Sequence, residues 1–317
     1  MEECPHPDCF APDTTCALGN VELAACLQWK GGKAPSAPSV ETDDKILVPW
    51  TGDALGLTDL AFVTGRAKPV VVAVAGPESA GKTTLLASWY LLLGRGRLLQ
   101  GRRWFNGSYS LNGWEAVASS MRSAPGRPPT FPPHTTSRGA RAPGLLHLAL
   151  REDDGRRRDL LFADAPGEWF QKWAVNAENP EAEGARWLAV HANLILLVAD
   201  RQALSGSKLG AARNAFQLLA KRVAAERRGR PVALVWTKAD IEIDPQMEAM
   251  IRKAVMDEMS DAVEHSTSVF DPDGGDVGVG LIRLFDWIAS YRRLGVVVPQ
   301  TQASVNDPLF LYGRTAT

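Results

Sequence analysis

The chain reads Gly76-Pro77-Glu78-Ser79-Ala80-Gly81-Lys82-Thr83 between an apolar run at residues 69–75 and a stretch of helical composition at 84–93. A strand that ends in such a loop turns its backbone N–H groups inward, and the positive end of the following helix strengthens the anion site that they form. Gly76 and Gly81 permit the tight backbone that close approach to a ligand requires. The stretch predicts a phosphate-binding loop; the plainer alternative is a glycine-containing turn.

The side chains and the backbone of this loop have separate predicted tasks. We expect the Lys82 ammonium to lie between the β- and γ-phosphates of a nucleotide, and the Thr83 hydroxyl to take one coordination position on Mg²⁺. Lys82 is also a candidate catalytic residue, because it faces the phosphate that is transferred. The other predicted nucleotide contacts in the loop are Gly76, Glu78, Ser79, Ala80, Gly81 and Thr84.

A second element on the phosphate side follows a buried strand that is predicted at residues 158–163. This strand delivers Asp164-Ala165-Pro166-Gly167-Glu168 at its carboxyl end. In phosphate-loop enzymes an acid at this place holds Mg²⁺, usually through a water, and the glycine N–H faces the γ-phosphate. Asp164 is therefore a predicted metal ligand, and Gly167 is a predicted nucleotide contact.

A base-reading element is predicted where a strand at residues 231–236 runs into Thr237-Lys238-Ala239-Asp240. An aspartate carboxylate accepts hydrogen bonds from both N1–H and the 2-amino group of guanine, whereas adenine has an acceptor at N1 and nothing at C2. Discrimination on the order of 10⁴ is attainable in this way, because the wrong base leaves a charge unpaired. Thr237, Lys238 and Asp240 are thus predicted guanine contacts. The alternative is that Asp240 only caps a helix that starts at Ile241.

The order of these elements resembles the translation-factor-like and Ras-like GTPases over about residues 68–293. The resemblance implies an α/β fold with a doubly wound, mainly parallel sheet and the nucleotide across the carboxyl ends of the strands. It also implies GTP or GDP and Mg²⁺ as ligands. Two positions depart from the family: Thr237 replaces a base-reading Asn, and Glu168 replaces the Gln that orients water. Glu168 is the corresponding catalytic candidate, and its carboxylate predicts slow intrinsic hydrolysis.

The resemblance also requires a threonine that senses the γ-phosphate, within a long insertion at residues 94–157 that is rich in Arg, Gly, Pro and Trp. His134-Thr135-Thr136-Ser137-Arg138 precedes a strand that is predicted at residues 144–150. Thr135 and Thr136 are candidate Mg²⁺ ligands, Thr136 is also a catalytic candidate, and Arg138 is a candidate arginine finger. Ordinary loop residues and plain counter-charge are the alternatives.

In this family a backbone N–H in a short loop after the last core strand contacts guanine O6. The best match by order is His265-Ser266-Thr267-Ser268, which makes Ser266 and Thr267 predicted contacts. A plain Ser/Thr loop is the alternative. The acidic residues 271–276 indicate a turn more than a Ca²⁺ loop, because the twelve-residue pattern is incomplete. An amphipathic helix is predicted at residues 278–293.

The cysteines of this chain cluster near its start. Cys4, Cys9, Cys16 and Cys26 all lie within the first 26 residues. Cytosolic proteins seldom form disulfides, so clustered cysteines indicate a structural zinc site with four thiolate ligands. The uneven spacing lacks a Cys-x-x-Cys knuckle, and scattered free thiols are the alternative.

Three stretches narrow the resemblance: Cys16-Ala17-Leu18-Gly19-Asn20, residues 48–56 and residues 80–86. Together they resemble the bacterial double-GTPase group, whose members are encoded beside a second GTPase in presumed conflict or defence systems. This resemblance implies a second GTPase or another protein effector as partner. Asn20 stands where relatives would have His, which removes one possible metal ligand.

The predicted organisation has four parts. A Cys-rich head covers residues 1–30, and a linker with a lead-in segment covers 31–67. The GTPase domain covers 68–294, with the insertion and the γ-phosphate-sensing threonine within 94–144. A C-terminal extension covers 295–317.

Composition limits the class of protein. Hydrophobic residues make up 45% of the 317, which is enough for one full-sized core with appendages. The 35 Lys and Arg nearly balance the 36 Asp and Glu, so no general attraction to nucleic acid is expected. No apolar stretch reaches the roughly 18 residues of a membrane span, and the start does not resemble a signal peptide. We expect a cytoplasmic protein, with a homo-oligomer left open.

Three functions remain open on the sequence. The first is a GTP-hydrolysing switch with Lys82 on the phosphates and Asp240 on the base. The second is a binding or assembly module that holds GTP or GDP with little turnover, for which Glu168 is the supporting feature. The third is an ATPase in which Asp240 only caps a helix.

Overall fold

The computed structural model describes residues 54–65, 67–99, 101, 103–123, 128–132, 143–270 and 276–293, together with Cys16, Leu18, Leu23, Cys26 and Trp29. The chain divides into two units, Met1–Trp50 and Thr51–Thr317. In the first unit, the side chains of Cys16 and Cys26 are both buried, and they share a small apolar cluster with Leu23 and Trp29. The helices and strands given below all lie in the second unit.

Seven strands form one sheet in the described part of the second unit, in the order β2-β3-β4-β1-β5-β6-β7. Strand β1 pairs in parallel with β4 and β5, and β6 pairs in parallel with β5 and β7. Strand β3 pairs antiparallel with β2 and β4. The strands are β1 Val70–Ala75, β2 Arg103–Gly107, β3 Gly144–Glu152, β4 Arg157–Asp164, β5 Leu194–Asp200, β6 Val232–Thr237 and β7 Val263–Ser266.

Helices connect most of these strands. The α-helices are α1 Leu60–Thr64, α2 Lys82–Gly94, α3 Leu111–Ala118, α4 Gly167–Val175, α5 Glu183–His191, α6 Arg201–Ser205, α7 Leu209–Glu226, α8 Pro245–Met256 and α9 Gly278–Ser290. Short 3₁₀ turns cover Leu57–Asp59, Ser119–Met121 and Pro180–Ala182. None of the helices within the described ranges is long and apolar enough to cross a membrane.

Both faces of the sheet are buried, which explains why the central strands are apolar throughout. All six residues of β1 are buried, and they alternate between two separate clusters as the pleat requires. One cluster contains side chains from α4, α5, α7 and α8: Phe170, Leu188, Leu219 and Ile251. The other contains side chains from α2, α3 and α9: Trp89, Trp114 and Phe285. The predicted doubly wound, mainly parallel α/β fold is confirmed.

The insertion contributes structure that the sequence did not predict. Strand β2 pairs with β3 at the edge of the sheet, and helix α3 buries Trp114 completely. The Trp114 indole N–H donates to the His147 carbonyl over 2.8 Å, and its ring packs edge-on against Phe162. This side chain therefore fixes the insertion to the face of the sheet.

The lead-in segment also packs against the sheet over part of its length. Leu55 and Leu145 exchange two backbone hydrogen bonds, of 2.8 and 3.0 Å. The Leu55 side chain is only 1% exposed, and Val63 of α1 belongs to the same core cluster. Residues 54–65 therefore belong structurally with the sheet, although the sequence grouped them with the linker.

Candidate functional site

The phosphate-binding loop connects β1 to α2. Gly81 precedes the helix with φ +82°, and Ser79 also has a positive φ, +60°. A Cβ at Gly76 would lie 2.9 Å from the Cβ of Val198, so only glycine fits beside β5 at this point. The predicted strand, loop and helix are all present, with the helix starting at Lys82 itself.

Lys82 places a nearly buried ammonium at this loop. Its side chain is 7% exposed, and Nζ donates to the carbonyls of Gly76 over 3.2 Å and Pro77 over 2.7 Å. Burial lowers the pKa of Lys82 to about 8, although the carboxylates of Asp164 and Glu78 act in the opposite direction. A buried ammonium whose charge is only partly balanced fits an anionic phosphate group.

Two of the predicted magnesium ligands, Thr83 and Asp164, meet beside the loop. Thr83 is the second residue of α2. Its hydroxyl donates to Oδ1 of Asp164, at the end of β4, over 3.0 Å. Parallel pairing of β1 with β4 brings these two strand ends together. A hydroxyl and a carboxylate are hard oxygen donors, which is the donor set that Mg²⁺ prefers. The residues therefore fit the ion that the sequence predicted.

Helix α4 begins directly against the phosphate-binding loop. A Cβ on Gly167 would come within 2.2 Å of the Glu78 nitrogen and 2.4 Å of the Pro77 carbonyl carbon. Only glycine permits this approach. Glu168 follows Gly167 in α4, and its side chain is exposed.

The predicted base-reading segment is tied to the same loop. The Thr237 hydroxyl donates to the Ala80 carbonyl over 2.9 Å. Lys238 has φ +54°, and its ammonium donates to Asp200 over 2.8 Å and to the Ser79 carbonyl over 3.1 Å. Both residues therefore hold the end of β6 against the loop.

Asp240 does not cap a helix. Helix α8 starts at Pro245, and its N-terminal N–H groups at Gln246 and Met247 bond to the carboxylate of Asp244. The capping alternative for Asp240 is therefore wrong. Asp240 is exposed, and its carboxylate accepts a short hydrogen bond from the Ser268 hydroxyl.

The Ser/Thr run that is predicted to contact guanine lies only partly at the cavity. Ser266 ends β7, a strand that the sequence missed, and it does not line the cavity described below. Thr267 does line the cavity; it is buried, and its N–H donates to the Trp236 carbonyl over 2.7 Å. Ser268 and Val269 line the cavity too. The sequence offered one signal for Ser268, a hydroxyl in the same Ser/Thr run.

One cavity of about 660 Å³ is lined by most of the residues described above, but not by Gly76, Asp164, Glu168 or Ser266. Residues 78–84 of the loop and of α2 form one wall, with Gly167 beside them, and Thr237, Lys238 and Asp240 form another. Two exposed aromatic side chains that the sequence analysis did not select also line it, Phe131 at 70% and Phe270 at 60% exposure. Its size suits a nucleotide, since ligand cavities typically span about 300–1,000 Å³.

Several predicted residues lie outside the part of the chain that the structure describes: Thr135, Thr136, Arg138, Cys4, Cys9 and residues 271–275. Among the described residues, no group of three or more His, Cys, Asp or Glu is arranged to hold a metal ion. Of the predicted zinc ligands, only Cys16 and Cys26 are described, and no disulfide joins them.

A family model described as Double-GTPase 2 matches residues 70–288, which contain every described residue of the cavity. The chain belongs to the Double-GTPase 2 family. The predicted resemblance to the double-GTPase group is therefore confirmed, and with it the assignment to the phosphate-loop GTPases.

No curated protein matches this Double-GTPase 2 protein significantly. Among solved structures it is similar to a chain of the signal recognition particle receptor SRb-GTP/SRX complex from Chaetomium thermophilum. The two chains are 18% identical with a TM-score of 0.40, and the match covers 70% of this chain and 98% of that one.

Proposed function

We propose that this chain is a guanine-nucleotide switch that hydrolyses GTP. One observation carries the proposal: a single cavity holds the Lys82 ammonium at one wall and the Asp240 carboxylate at another. The first suits the phosphates and the second suits the Watson–Crick edge of guanine. Membership of the Double-GTPase 2 family supports the same function.

Recognition of guanine is proposed to centre on Asp240. Its carboxylate accepts from N1–H and the 2-amino group, while the Ser268 hydroxyl donates to it and holds its orientation. The proposed O6 contact moves two residues downstream of the sequence prediction, to the backbone of Ser268 and Val269, which line the cavity. Adenine would offer this carboxylate no donor from the base, so adenine is disfavoured.

Binding of the phosphates is proposed to use the loop backbone and Lys82, which would exchange the carbonyls of Gly76 and Pro77 for phosphate oxygens. Thr83 and Asp164 would hold Mg²⁺, which supplies positive charge to the β- and γ-phosphate oxygens when it is bound. The Gly167 N–H, at the start of α4, would face the γ-phosphate. Thr135 and Thr136 stay predictions as further ligands.

Hydrolysis by the isolated chain is proposed to be slow. Glu168 takes the sequence position of the Gln that orients the attacking water in the GTPases that this chain resembles, and its carboxylate lacks a donor for that task. A partner that supplies an arginine accelerates such reactions by about 10³ to 10⁵. We propose that a second GTPase is the partner, as the family description suggests. Three earlier expectations stay predictions: that Arg138 is an arginine finger, that the protein acts in a conflict system, and that it is cytoplasmic.

The Cys-rich head is proposed to hold one structural zinc ion through Cys4, Cys9, Cys16 and Cys26. Cys16 and Cys26 are buried in one apolar cluster, and the zinc site stays a prediction. We keep the proposed domain limits 1–30, 31–67, 68–294 and 295–317. Within 31–67, residues 54–65 pack on the sheet of the GTPase domain.

A second candidate function is a nucleotide-dependent assembly module with little turnover. Glu168 favours it, because this residue takes the sequence position of the water-orienting Gln and its carboxylate cannot donate a hydrogen bond. The ATPase alternative has lost its support, since Asp244 and not Asp240 caps helix α8.

Phosphate release separates these functions. The full chain is incubated with GTP or ATP and Mg²⁺, alone and with a purified candidate partner GTPase. A switch releases phosphate slowly from GTP, faster with the partner, and not from ATP. Tight GTP binding without release under either condition favours the assembly module, and release from ATP at the same rate contradicts both.

A further inference from the structure

Helix α9 packs directly against the segment proposed to contact guanine O6. Gly280 is the third residue of this helix. A Cβ on Gly280 would lie 2.2 Å from the Ser266 carbonyl oxygen and 3.6 Å from the Thr267 Cα. Both obstacles are backbone atoms, which cannot turn away as the end of a flexible side chain can. Only glycine therefore fits at this position of the first turn of α9.

The base loop, which we define as residues 266–269, contains the backbone proposed to contact O6. On one side it is bonded to the segment that follows β6. The Thr267 N–H donates to the Trp236 carbonyl over 2.7 Å, and the Thr267 carbonyl accepts from the Ala239 N–H over 3.1 Å. Ala239 directly precedes Asp240. The base loop is thus held between the segment that carries Asp240 and the first turn of α9.

The first turn of α9 is in turn fixed to helix α2. Trp89 of α2 is completely buried, and its indole N–H donates to the Leu281 carbonyl over 2.9 Å. Leu281 directly follows Gly280 and lines the cavity. Because α2 starts at Lys82, this hydrogen bond ties the base loop, through α9, to the helix that begins at the phosphate-binding loop.

We propose that Gly280 is a positioning residue for guanine recognition: its lack of a side chain lets α9 hold the base loop where the backbone of Ser268 and Val269 meets O6. Gly280 does not itself line the cavity. The inference rests on the proposed function and adds a determinant of base specificity that lies behind the site. Position 6 matters for specificity because guanine has an acceptor there and adenine has a donor.

The expected displacement is large compared with the tolerance of a hydrogen bond. A carbonyl oxygen that is 2.2 Å from an added Cβ must move by about 1 Å before the methyl carbon fits. A hydrogen bond of about 3 Å that lengthens by this amount is lost. Loss of one such neutral hydrogen bond lowers affinity by about 3- to 10-fold.

The test isolates the contact at position 6. Dissociation constants for GDP and for 6-thio-GDP, in which sulfur replaces O6 and accepts hydrogen bonds only weakly, are measured for the full chain by displacement of a fluorescent GDP. Both ligands keep N1–H and the 2-amino group, so the ratio of the two constants does not report the contact with Asp240. A variant that is only less stable changes both constants alike and keeps the ratio.

Two variants act on the first turn of α9 through different atoms. Gly280→Ala adds the methyl group that has no room. Trp89→Phe removes the donor to the Leu281 carbonyl and adds no atom, so the first turn of α9 is no longer fixed to α2. The second variant decides the question if Gly280→Ala does not fold.

Each variant has a matched control. Gly210→Ala adds the same methyl group to helix α7, where no atom lies within 4 Å of the new Cβ. Trp114→Phe removes an equally buried indole donor, whose 2.8 Å hydrogen bond goes to the His147 carbonyl of β3 and not to α9. Both controls therefore leave the contact between α9 and the base loop intact.

The unmutated chain should bind GDP about 3- to 10-fold more tightly than 6-thio-GDP. This ratio should fall toward one in Gly280→Ala and in Trp89→Phe, and it should stay unchanged in both controls. An unchanged ratio in folded Gly280→Ala, or in Trp89→Phe if the first variant does not fold, overturns the inference and leaves the proposed function standing. A ratio of one in the unmutated chain also overturns it. Equal affinity of the unmutated chain for GDP and ADP overturns both.

Discussion

The Thr237 hydroxyl donates a 2.9 Å hydrogen bond to the carbonyl of Ala80, which joins the end of β6 to the phosphate-binding loop. Thr237 is buried, and a Cβ added to Gly81 would lie 3.6 Å from the Cβ of Thr237. The segment proposed to read the base and the loop proposed to bind the phosphates are thus mechanically one unit. Thr237 stands where related GTPases have Asn, so the hydroxyl supplies a loop contact at this position.

Replacement of Thr237 by Val tests this link. The variant keeps the shape but leaves the Ala80 carbonyl without this donor, which should cost about 1 to 2 kcal/mol of unfolding free energy. Affinity for GDP and for GTP should fall together, because the substitution removes a hydrogen bond between the segment proposed to bind the base and the loop proposed to bind the phosphates. Denaturant unfolding and nucleotide titration measure the two effects.

Thr64→Val is the control for that substitution. The Thr64 hydroxyl donates to the Leu60 carbonyl on an exposed helix, so its removal should change neither stability nor binding by a comparable amount. Equal effects from both variants would show that Thr237 has no special role.

Asp240→Asn should change which base is bound. Loss of the carboxylate removes the acceptor for N1–H and the 2-amino group. The affinity for xanthine, which has a carbonyl at C2, should therefore rise relative to the affinity for guanine. Competition between GDP and XDP for the variant measures the shift. Asp244→Asn is the control: Asn caps helices as well as Asp does, and base preference should stay as in the unmutated chain. A guanine preference that survives in Asp240→Asn contradicts the assignment.

The pKa of Lys82 predicts proton uptake on binding. Burial lowers this pKa to about 8, so the ammonium is about half deprotonated at pH 8 before ligand binds. Phosphate binds the protonated form and raises the pKa, so GDP binding should take up about half a proton per chain at pH 8. Affinity should therefore fall as pH rises above 8. Calorimetry in buffers of different ionisation enthalpy gives the proton count, and an uptake of zero at pH 8 would count against the placement of Lys82.

Gly167→Ala should disturb the contact between α4 and the loop. The added Cβ would lie 2.2 Å from the Glu78 nitrogen, and the obstacle is backbone, which cannot rotate away. We expect at least about a tenfold loss of GTP affinity, or a clear drop in unfolding midpoint. Gly210→Ala in α7 is the matched control, because no atom lies within 4 Å of its added Cβ and alanine favours a helix. Wild-type behaviour of Gly167→Ala in both assays would refute the packing described here.

The sequence predicted the central part of this fold closely. Predicted strands at 69–75, 158–163 and 231–236 differ by at most one residue at either end from those observed, since each is an apolar run that is buried on both faces. The phosphate-binding loop is also predictable from the sequence alone. Its glycines and lysine form a local pattern that needs no knowledge of distant contacts.

The edges of the sheet were harder to predict. Strand β2 exposes Trp104 and Phe105, and β7 alternates between half-buried and exposed residues over only four positions. Neither strand has an apolar run that distinguishes it from a loop. Leu55 shows the same difficulty, because its burial depends on a bridge to Leu145, ninety positions away in the chain.

The position of the proposed base contacts depends on a register that the sequence does not give. The sequence shows the Ser/Thr run 266–268, but its register against Asp240 depends on where β7 ends. The hydrogen bond from Ser268 to Asp240 fixes that register and moves the proposed contact past Ser266. Spacing along the chain does not determine such a cross-strand pairing.

Nucleotide preference of the unmutated chain tests the central claim most directly. The purified full chain is titrated with GDP, GTP analogue, ADP and ATP analogue in the presence of Mg²⁺, with displacement of fluorescent GDP as the readout. The account predicts that the guanine nucleotides bind at least about 100-fold more tightly than the adenine ones, and that Lys82→Ala abolishes binding of all four. Equal displacement by adenine and guanine nucleotides, or unchanged binding by Lys82→Ala, would contradict it.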